Sequence, residues 1–187
     1  MTPLGAVQHL GFIVRDIDAA MAHWRGAFGV GPFVQVTRSA AGERVFRGQP
    51  VDLDLTLAFA YLGDVQIEII HQRNAAPSPY SEFLDAGREG LHHFGFWTED
   101  PQAAGERLTA AGFRACYRSG ALDPKNGATY YEPPGPGQSM VEVMPQTPAK
   151  SAMYARLKAL CRQWDGQSPV RRVDSFAAMS DFLNHTS

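Results

Sequence analysis

A short pattern that occurs twice constrains the fold of this chain more than any other feature. The first copy opens at His9 and the second at His93, and an aspartate follows seven residues later in each, Asp16 or Asp100. Each aspartate leads into an alanine-rich stretch whose apolar residues recur at helical spacing. The sequence therefore predicts two halves that begin with a strand and continue into a helix, related by internal duplication.

Each copy also ends in the same way, on an apolar strand with one acid in it. Residues 66–70 contain Glu68, and residues 140–144 contain Glu142. The duplication therefore places one histidine and one glutamate at matching positions of each half, four residues in all.

The remaining periodicity predicts the elements between these points. Period-two alternation indicates a strand at the start of the first copy, and Asp16 or Asp18 is expected to cap the helix that ends near Gly29. Strands are predicted at 33–37, 44–47, 53–62 and 65–70. A connector over 72–90 is expected to hold a short helix at 81–86, and the second copy runs over 91–145.

The C-terminal residues belong to neither copy. Helical spacing predicts a helix at 151–164 and a second at 175–183 with Ser175 as its cap. The apolar stripes of this tail predict packing either on the body of the protein or on a partner subunit, and both interpretations stay open. The expected organisation is one domain over 5–146, with modules at about 5–72 and 90–146, and a helical extension over 147–187.

Composition excludes several classes of partner and suggests a compartment. The chain has 187 residues, 44% of them hydrophobic, and a net charge of −2 without a basic stripe, so nucleic acid and anionic membranes are poor candidates. No segment approaches the roughly 18 apolar residues that a spanning helix requires. The two cysteines, Cys116 and Cys161, have no metal-binding or redox spacing. We expect a cytoplasmic protein.

The four duplicated residues are the candidate ligands of a metal. A carboxylate in a strand that is apolar on both sides is costly to bury unless it is paired or coordinated, as at Glu68 and Glu142. His9 shares a strand face with Gly11, while His93 shares one with Gly95 and Trp97. Two imidazoles and two carboxylates suit one divalent ion, Zn, Co, Ni, Mn or Fe, with positions left for water or substrate.

Other residues near these positions are given ordinary structural roles. His92 is expected on the face opposite His93, as a core residue or a neighbour of a ligand, and His71 has the parity opposite to Glu68. Trp97 is interpreted equally well as core or as the wall of a substrate pocket. Tyr130 and the tyrosine after it are favoured as a plain aromatic pair over a hydrogen-bond donor at the site.

At these residues the chain resembles the vicinal oxygen chelate superfamily, which includes glyoxalase I, methylmalonyl-CoA epimerase, extradiol dioxygenases and bleomycin-resistance proteins. The segments 66–71, 77–84 and 90–94, with the paired histidines His92 and His93, are most similar to the methylmalonyl-CoA epimerase-like branch. The resemblance covers 5–146 and implies an α+β fold of two tandem βαβββ modules that form a half-open barrel around the metal.

The resemblance also implies a chemistry and site residues. In the similar branch the metal acts as a Lewis acid on a substrate carbonyl, such as that of an acyl thioester, and so makes the neighbouring proton more acidic. Glu142 is expected to serve as both ligand and base, and the second acid of the epimerases is matched best by Asp52 or Asp54. Gly11, Gly95 and Trp97 are expected to border the substrate pocket.

The function predicted is therefore that of a divalent-metal-dependent isomerase or epimerase, or a glyoxalase-like lyase, acting on a small molecule as a homodimer. An extradiol ring-cleaving dioxygenase is one alternative, but it uses two histidines and one carboxylate on Fe(II), and a fourth ligand at Glu68 argues against it. A small-molecule-binding protein without turnover is the other alternative, and the retention of all four ligand residues argues against it.

Overall fold

The computed structural model describes residues 4–37, 43–120 and 127–186. Within these residues the strands are β1 (Val7–Ile13), β2 (Phe33–Val36), β3 (Arg44–Phe46), β4 (Gln49–Pro50), β5 (Leu55–Leu62), β6 (Val65–Gln72), β7 (Gly90–Thr98), β8 (Arg114–Ser119), β9 (Thr129–Glu132), β10 (Met140–Pro145) and β11 (Val170–Val173). The helices are α1 (Ile17–Phe28), α2 (Pro79–Asp85), α3 (Pro101–Ala110), α4 (Pro148–Arg162) and α5 (Phe176–Asn184).

The strands form one mixed sheet whose centre joins the two copies. Its order is β11-β2-β5-β6-β1-β7-β10-β9-β8-β3-β4. The first strands of the copies, β1 and β7, are antiparallel neighbours, and each is flanked by the last strand of its own copy in parallel, β6 or β10. The four strands that carry the duplicated histidines and glutamates are therefore adjacent at the middle of the sheet.

The expected α+β architecture is confirmed. The second copy runs β7-α3-β8-β9-β10, and the first runs β1-α1-β2-β5-β6 with the hairpin β3–β4 inserted. The sheet curves into a half-open barrel and does not close. The hairpin crosses over to pair with β8, so it extends the half of the sheet that belongs to the second copy. The sequence did not predict β4.

The duplication extends to the caps of the helices. Asp16 accepts a hydrogen bond from the backbone N–H of Ala19 at the start of α1, and Asp100 accepts one from Ala103 at the start of α3. Each side chain satisfies a donor that the first turn of a helix leaves unpaired, which fixes where the helix begins. Among the described residues no helix combines the length and the hydropathy that a membrane span demands.

The C-terminal elements α4, β11 and α5 pack on the body of the protein. Strand β11, which the sequence did not predict, extends the sheet edge in parallel with β2. Leu157 of α4 and Met179 of α5 have no exposed surface and belong to the same core cluster as the inner residues of β2 and β5. This extension is thus an integral layer over one end of the sheet.

Candidate metal centre and its cavity

The two duplicated histidines meet at the seam between the copies. His9 Nε2 of β1 lies 3.3 Å from His93 Nε2 of β7. Glu68 of β6 places its Oε2 atom 3.5 Å from the Nε2 atom of each histidine. The predicted convergence of these side chains across adjacent strands is therefore present.

Glu142 of β10 completes the cluster from the other side. Its Oε2 atom lies 2.5 Å from His9 Nε2 and 3.5 Å from His93 Nε2. One donor atom from each of the four residues falls within 4.8 Å of all the others. Donors that bind one first-row ion at about 2.0–2.3 Å lie roughly 3–3.5 Å apart, so most of these spacings fit a single divalent ion.

The ionisable side chains of this cluster are buried, where a charge is costly unless an opposite charge compensates it. The exposed fraction is 1% for His9, 0% for His93, 9% for Glu68 and 4% for Glu142. Burial by itself would lower the pKa of His93, but hydrogen bonds with Glu142 and Glu68 outweigh it and raise this pKa to about 9. Burial would likewise raise the pKa of Glu142, but the charge of His9 and hydrogen bonds to both histidines hold it well below its ordinary value. The two carboxylates therefore demand positive charge, which a proton or a metal ion supplies.

Two glycines create the room for the imidazoles. His9 pairs across the strands with Gly95, and His93 pairs with Gly11. A Cβ atom on Gly95 would lie 1.8 Å from His9 Cε1, and one on Gly11 would lie 1.9 Å from His93 Cε1. Each glycine thus makes room for the histidine of the other copy.

The prediction that His92 faces away from His93 is wrong. The pairing of β1 with β7 shifts register by one residue, so that Gly11 pairs with His93 but the next residue, Phe12, pairs with Leu91. This bulge leaves His92 as the extra residue, and its Nδ1 atom lies 3.1 Å from His93 Nδ1. His92 is a buried neighbour of a candidate ligand and belongs outside the four-donor cluster.

A largely apolar cavity of about 520 Å³ opens over the carboxylates. Glu68 and Glu142 lie in its wall together with apolar residues from β5 and β6. Gly11, Gly95 and Trp97 are not among its lining residues, although all three lie in the described part of the chain. The glycines contact the histidine rings, and Trp97 stands beside His9 with a ring-centroid distance of 6.5 Å.

Asp52 and Asp54 do not reach this cavity. Both precede β5 and are exposed; the backbone carbonyl of Asp52 accepts from Asn74 Nδ2 at 2.8 Å, and Asp54 pairs with Arg73. The positions of β5 that do face the cavity are apolar: Leu55, Leu57 and Phe59. The structure therefore does not bring Asp52 to the candidate metal ligands, because the strand begins only after both aspartates.

Tyr130 belongs to the site, although the sequence favoured a plain aromatic role for it. It lies directly across from Glu142 in the β9–β10 pair, lines the cavity, and stacks on His93 with ring centroids 4.8 Å apart. Tyr80 Oη donates to Tyr130 Oη at 3.1 Å, and burial raises the pKa of both hydroxyls well above the ordinary value. The register of β9 against β10, which places Tyr130 opposite Glu142, identifies Tyr130 as a site residue, and the sequence alone does not contain this register.

The fold and the site agree with the comparison against protein families. Residues 8–130 match the model of the glyoxalase/bleomycin resistance protein/dioxygenase superfamily. This chain belongs to that superfamily. The matched range contains His9, Glu68 and His93.

One curated relative is similar in sequence to this chain, and two solved structures are similar in fold. The sequence is 31% identical over 126 residues to an ethylmalonyl-CoA/methylmalonyl-CoA epimerase of Cereibacter sphaeroides, which covers 67% of this chain and 82% of the relative. The fold is similar to that of methylmalonyl-CoA epimerase from Mycobacterium tuberculosis, with 18% identity, a TM-score of 0.51, and coverage of 78% of this chain and 90% of that one.

The second structure is Streptomyces coelicolor methylmalonyl-CoA epimerase in complex with 2-nitronate-propionyl-CoA. It is 17% identical, with a TM-score of 0.54, and covers 78% of this chain and 99% of its own. Nearly the whole of that epimerase therefore matches, while about a fifth of the present chain has no counterpart in it.

Proposed function

We propose that this protein is a divalent-metal-dependent epimerase that acts on an acyl-CoA thioester by moving the proton next to the thioester carbonyl. The observation that carries the proposal is the buried set of two imidazoles and two carboxylates whose carboxylates form part of a cavity wall. The similarity to a curated ethylmalonyl-CoA/methylmalonyl-CoA epimerase supports the substrate class.

His9, Glu68, His93 and Glu142 are the residues that would hold the metal. A bound divalent ion supplies Lewis acidity, which draws electron density from a carbonyl oxygen and makes the adjacent C–H more acidic. Of these four side chains, those of Glu68 and Glu142 line the cavity, so the reacting group would lie beside the two carboxylates. The bulky aromatic side chain of Tyr130 shields the imidazole of His93 on one side.

Glu142 is the residue to which we assign proton removal. Its carboxylate lies in the cavity wall while only 4% of the residue is exposed, so a substrate carbon in the cavity can approach it without bulk water, as proton removal by a positioned carboxylate requires. Glu68 is the other carboxylate among the described lining residues. Inversion requires a proton to be delivered to the opposite face of the carbon. We assign this delivery to Glu68, which would take up the delivered proton from solvent, while the proton removed by Glu142 leaves to solvent.

Solvent deuterium exchange tests this proposal. The metal-loaded protein, incubated in D2O under anaerobic conditions with methylmalonyl-CoA and ethylmalonyl-CoA, should incorporate deuterium at the carbon next to the thioester. Activity should persist with Zn²⁺, Co²⁺ or Mn²⁺, because no electron leaves the metal. Exchange that strictly requires oxygen and a redox-active metal would instead establish a dioxygenase, and saturable binding without exchange would establish a binding protein.

A substitution at Glu142 separates proton transfer from metal binding. Glu142→Gln should lower exchange by at least about 100-fold while part of the metal is retained, since an amide oxygen can still ligate but does not accept a proton at neutral pH. Glu106→Gln on the exposed side of α3 is the matched control and should exchange normally. Full exchange in Glu142→Gln would move the base to another residue.

A further inference from the structure

The C-terminal extension supplies one wall of the cavity over the metal centre. Met153 and Tyr154 of α4 and Phe176 of α5 line it opposite the strands, and Ala149, Lys150, Ala177 and Ser180 complete this side. All of them lie beyond the residues that match the superfamily. The shape of the cavity is therefore set partly by a segment that is additional to the family's matched region.

This wall is held firmly against the sheet. Tyr154 stacks on Trp97, with ring centroids 4.8 Å apart, and contacts Phe59 of β5 at 6.2 Å. Phe176 also contacts Phe59, with ring centroids 5.8 Å apart. Since Leu157 behind Tyr154 has no exposed surface, the helix that carries this face is anchored in the core.

The space between the extension and the sheet is apolar on both sides. Leu57 and Phe59 of β5 form the side of the sheet, and Met153 and Phe176 form the side of the extension. An apolar group placed there gains from leaving water, whereas a polar group would lose its hydration without a partner. The cavity volume, about 520 Å³, is far greater than a methyl group needs and falls in the range of pockets for drug-sized ligands.

We infer that the extension is a specificity element, and that Met153 and Phe176 select acyl thioesters whose reacting carbon carries an apolar substituent of several carbons. This inference rests on the proposed function, and it names the acyl class on which that site acts. The substituent lies between β5 and the extension while the thioester carbonyl lies at the metal ligands. Phe176 is a specificity-determining residue, because its ring borders the space for the substituent and it is not one of the four candidate ligands.

A homologous series of substrates tests the inference. For the zinc-loaded protein, kcat/KM for deuterium exchange should rise from methylmalonyl-CoA through ethylmalonyl-CoA to butylmalonyl-CoA. In Phe176→Ala the ratio of kcat/KM for the butyl substrate to that for the methyl substrate should fall about 10-fold or more, the scale on which apolar pockets discriminate. In Phe176→Trp, which narrows the space, the preference should move toward the shorter substituents.

Phe182→Ala is the matched control. Phe182 lies on the same helix, is also partly buried in the core, and does not line the cavity. Its truncation should leave the ratio of the butyl to the methyl substrate unchanged, and circular dichroism should show that all three variants are folded. An equal change of the ratio in Phe176→Ala and Phe182→Ala, or no change in either, would overturn the inference.

Binding measurements distinguish failure of this inference from failure of the proposed function. Calorimetry with straight-chain saturated acyl-CoA thioesters of increasing length requires no turnover. The wild-type protein could catalyse no deuterium exchange but bind acyl-CoA with longer chains more tightly, and Phe176→Ala could remove this dependence of affinity on chain length. In that case the epimerase proposal is refuted and the apolar pocket is supported. If exchange occurs but neither kcat/KM nor affinity depends on chain length, the epimerase stands and the role of the extension is refuted.

Discussion

Gly11 and Gly95 are the residues on which the histidine geometry depends most directly. Each lies opposite a histidine of the neighbouring strand, and a methyl group at either position would overlap an imidazole ring. The absence of a side chain at these two positions therefore leaves the space that the histidine rings occupy, and so determines where their donor atoms lie.

Gly11→Ala and Gly95→Ala should each weaken zinc affinity by at least about 10-fold, as displacement of neighbours of metal ligands commonly does. The added Cβ would lie 1.9 Å from a ring atom of His93 or 1.8 Å from one of His9, so the opposing buried histidine would have to shift. Competition with a chromogenic chelator measures the affinity. Gly26→Ala in α1 is the control, since its Cβ would meet nothing within 4 Å; unaltered affinity in the Gly11 and Gly95 variants would contradict the argument.

The stability of the metal-free protein should fall as pH rises from about 6.5 to 9. The pKa of His93 is raised to about 9 in the folded state, so its stabilising contribution is complete below the unfolded value near 6.5 and is lost as pH rises through 9. The lowered pKa of Glu142 acts in the opposite sense, and its contribution is lost as pH falls below the unfolded value near 4.3.

Urea unfolding in the presence of EDTA at several pH values measures this dependence. His93→Gln carries no titrating imidazole, so its unfolding midpoint should change less between pH 6.5 and 9 than that of the wild-type protein. An identical pH dependence in both proteins would show that another group is responsible.

The four candidate ligands were predictable from sequence because duplication gives each one a counterpart. Strand parity then distinguished Glu68 from His71. The Nδ1 atom of His71 lies 3.1 Å from the carbonyl oxygen of Val14 and not near the candidate metal ligands. Parity failed at His92, because a bulge changes the register and a single sequence contains no information on which strand pairs with which. The same lack of register led to the interpretation of Asp52 as a site residue.

At the scale of elements, the helices were predicted better than the short strands. Helix α5 begins one residue after its expected cap, Ser175, and α1 one residue after Asp16, because caps and helical periodicity are local signals. Strands β4 and β11 are only two and four residues long, and they exist because they pair with distant partners. Their formation is a tertiary effect that local propensity does not contain.

The anchoring of α4 makes a measurable prediction. Leu157→Ala should lower the free energy of unfolding by about 2–5 kcal/mol, because it removes a side chain with no exposed surface from the core. Leu160→Ala, at a partly exposed position of the same helix, should have a smaller effect. Urea titration followed by circular dichroism measures both, and equal effects would show that α4 is not anchored through Leu157.

At the scale of the whole molecule, one core joins both copies and the extension. The same cluster contains Ile13 of the first copy, Tyr130 of the second, and Leu157 and Met179 of the extension. Because this cluster contains buried residues of all three parts, we expect the chain to unfold in a single cooperative transition.

The three tryptophans allow this to be measured, since Trp24, Trp97 and Trp164 fall in the first copy, the second copy and the extension. Fluorescence of variants that retain one tryptophan each should give coincident unfolding curves. Zinc at about 100 times its Kd should raise the free energy of unfolding of each single-tryptophan variant by about 2.7 kcal/mol, and His9→Ala should abolish this increase. Separate transitions would show that the parts unfold independently.

The reciprocal placement of histidine and glycine across β1 and β7 has a consequence for fragments of the chain. A fragment that ends in the connector retains His9 and Glu68, which is half of the donor set, and its Gly11 faces no imidazole. The complementary fragment has the other half of the donor set. Zinc uptake by a mixture of the two fragments would therefore measure the fraction of molecules in which the two halves have reassembled with β1 and β7 in the correct register.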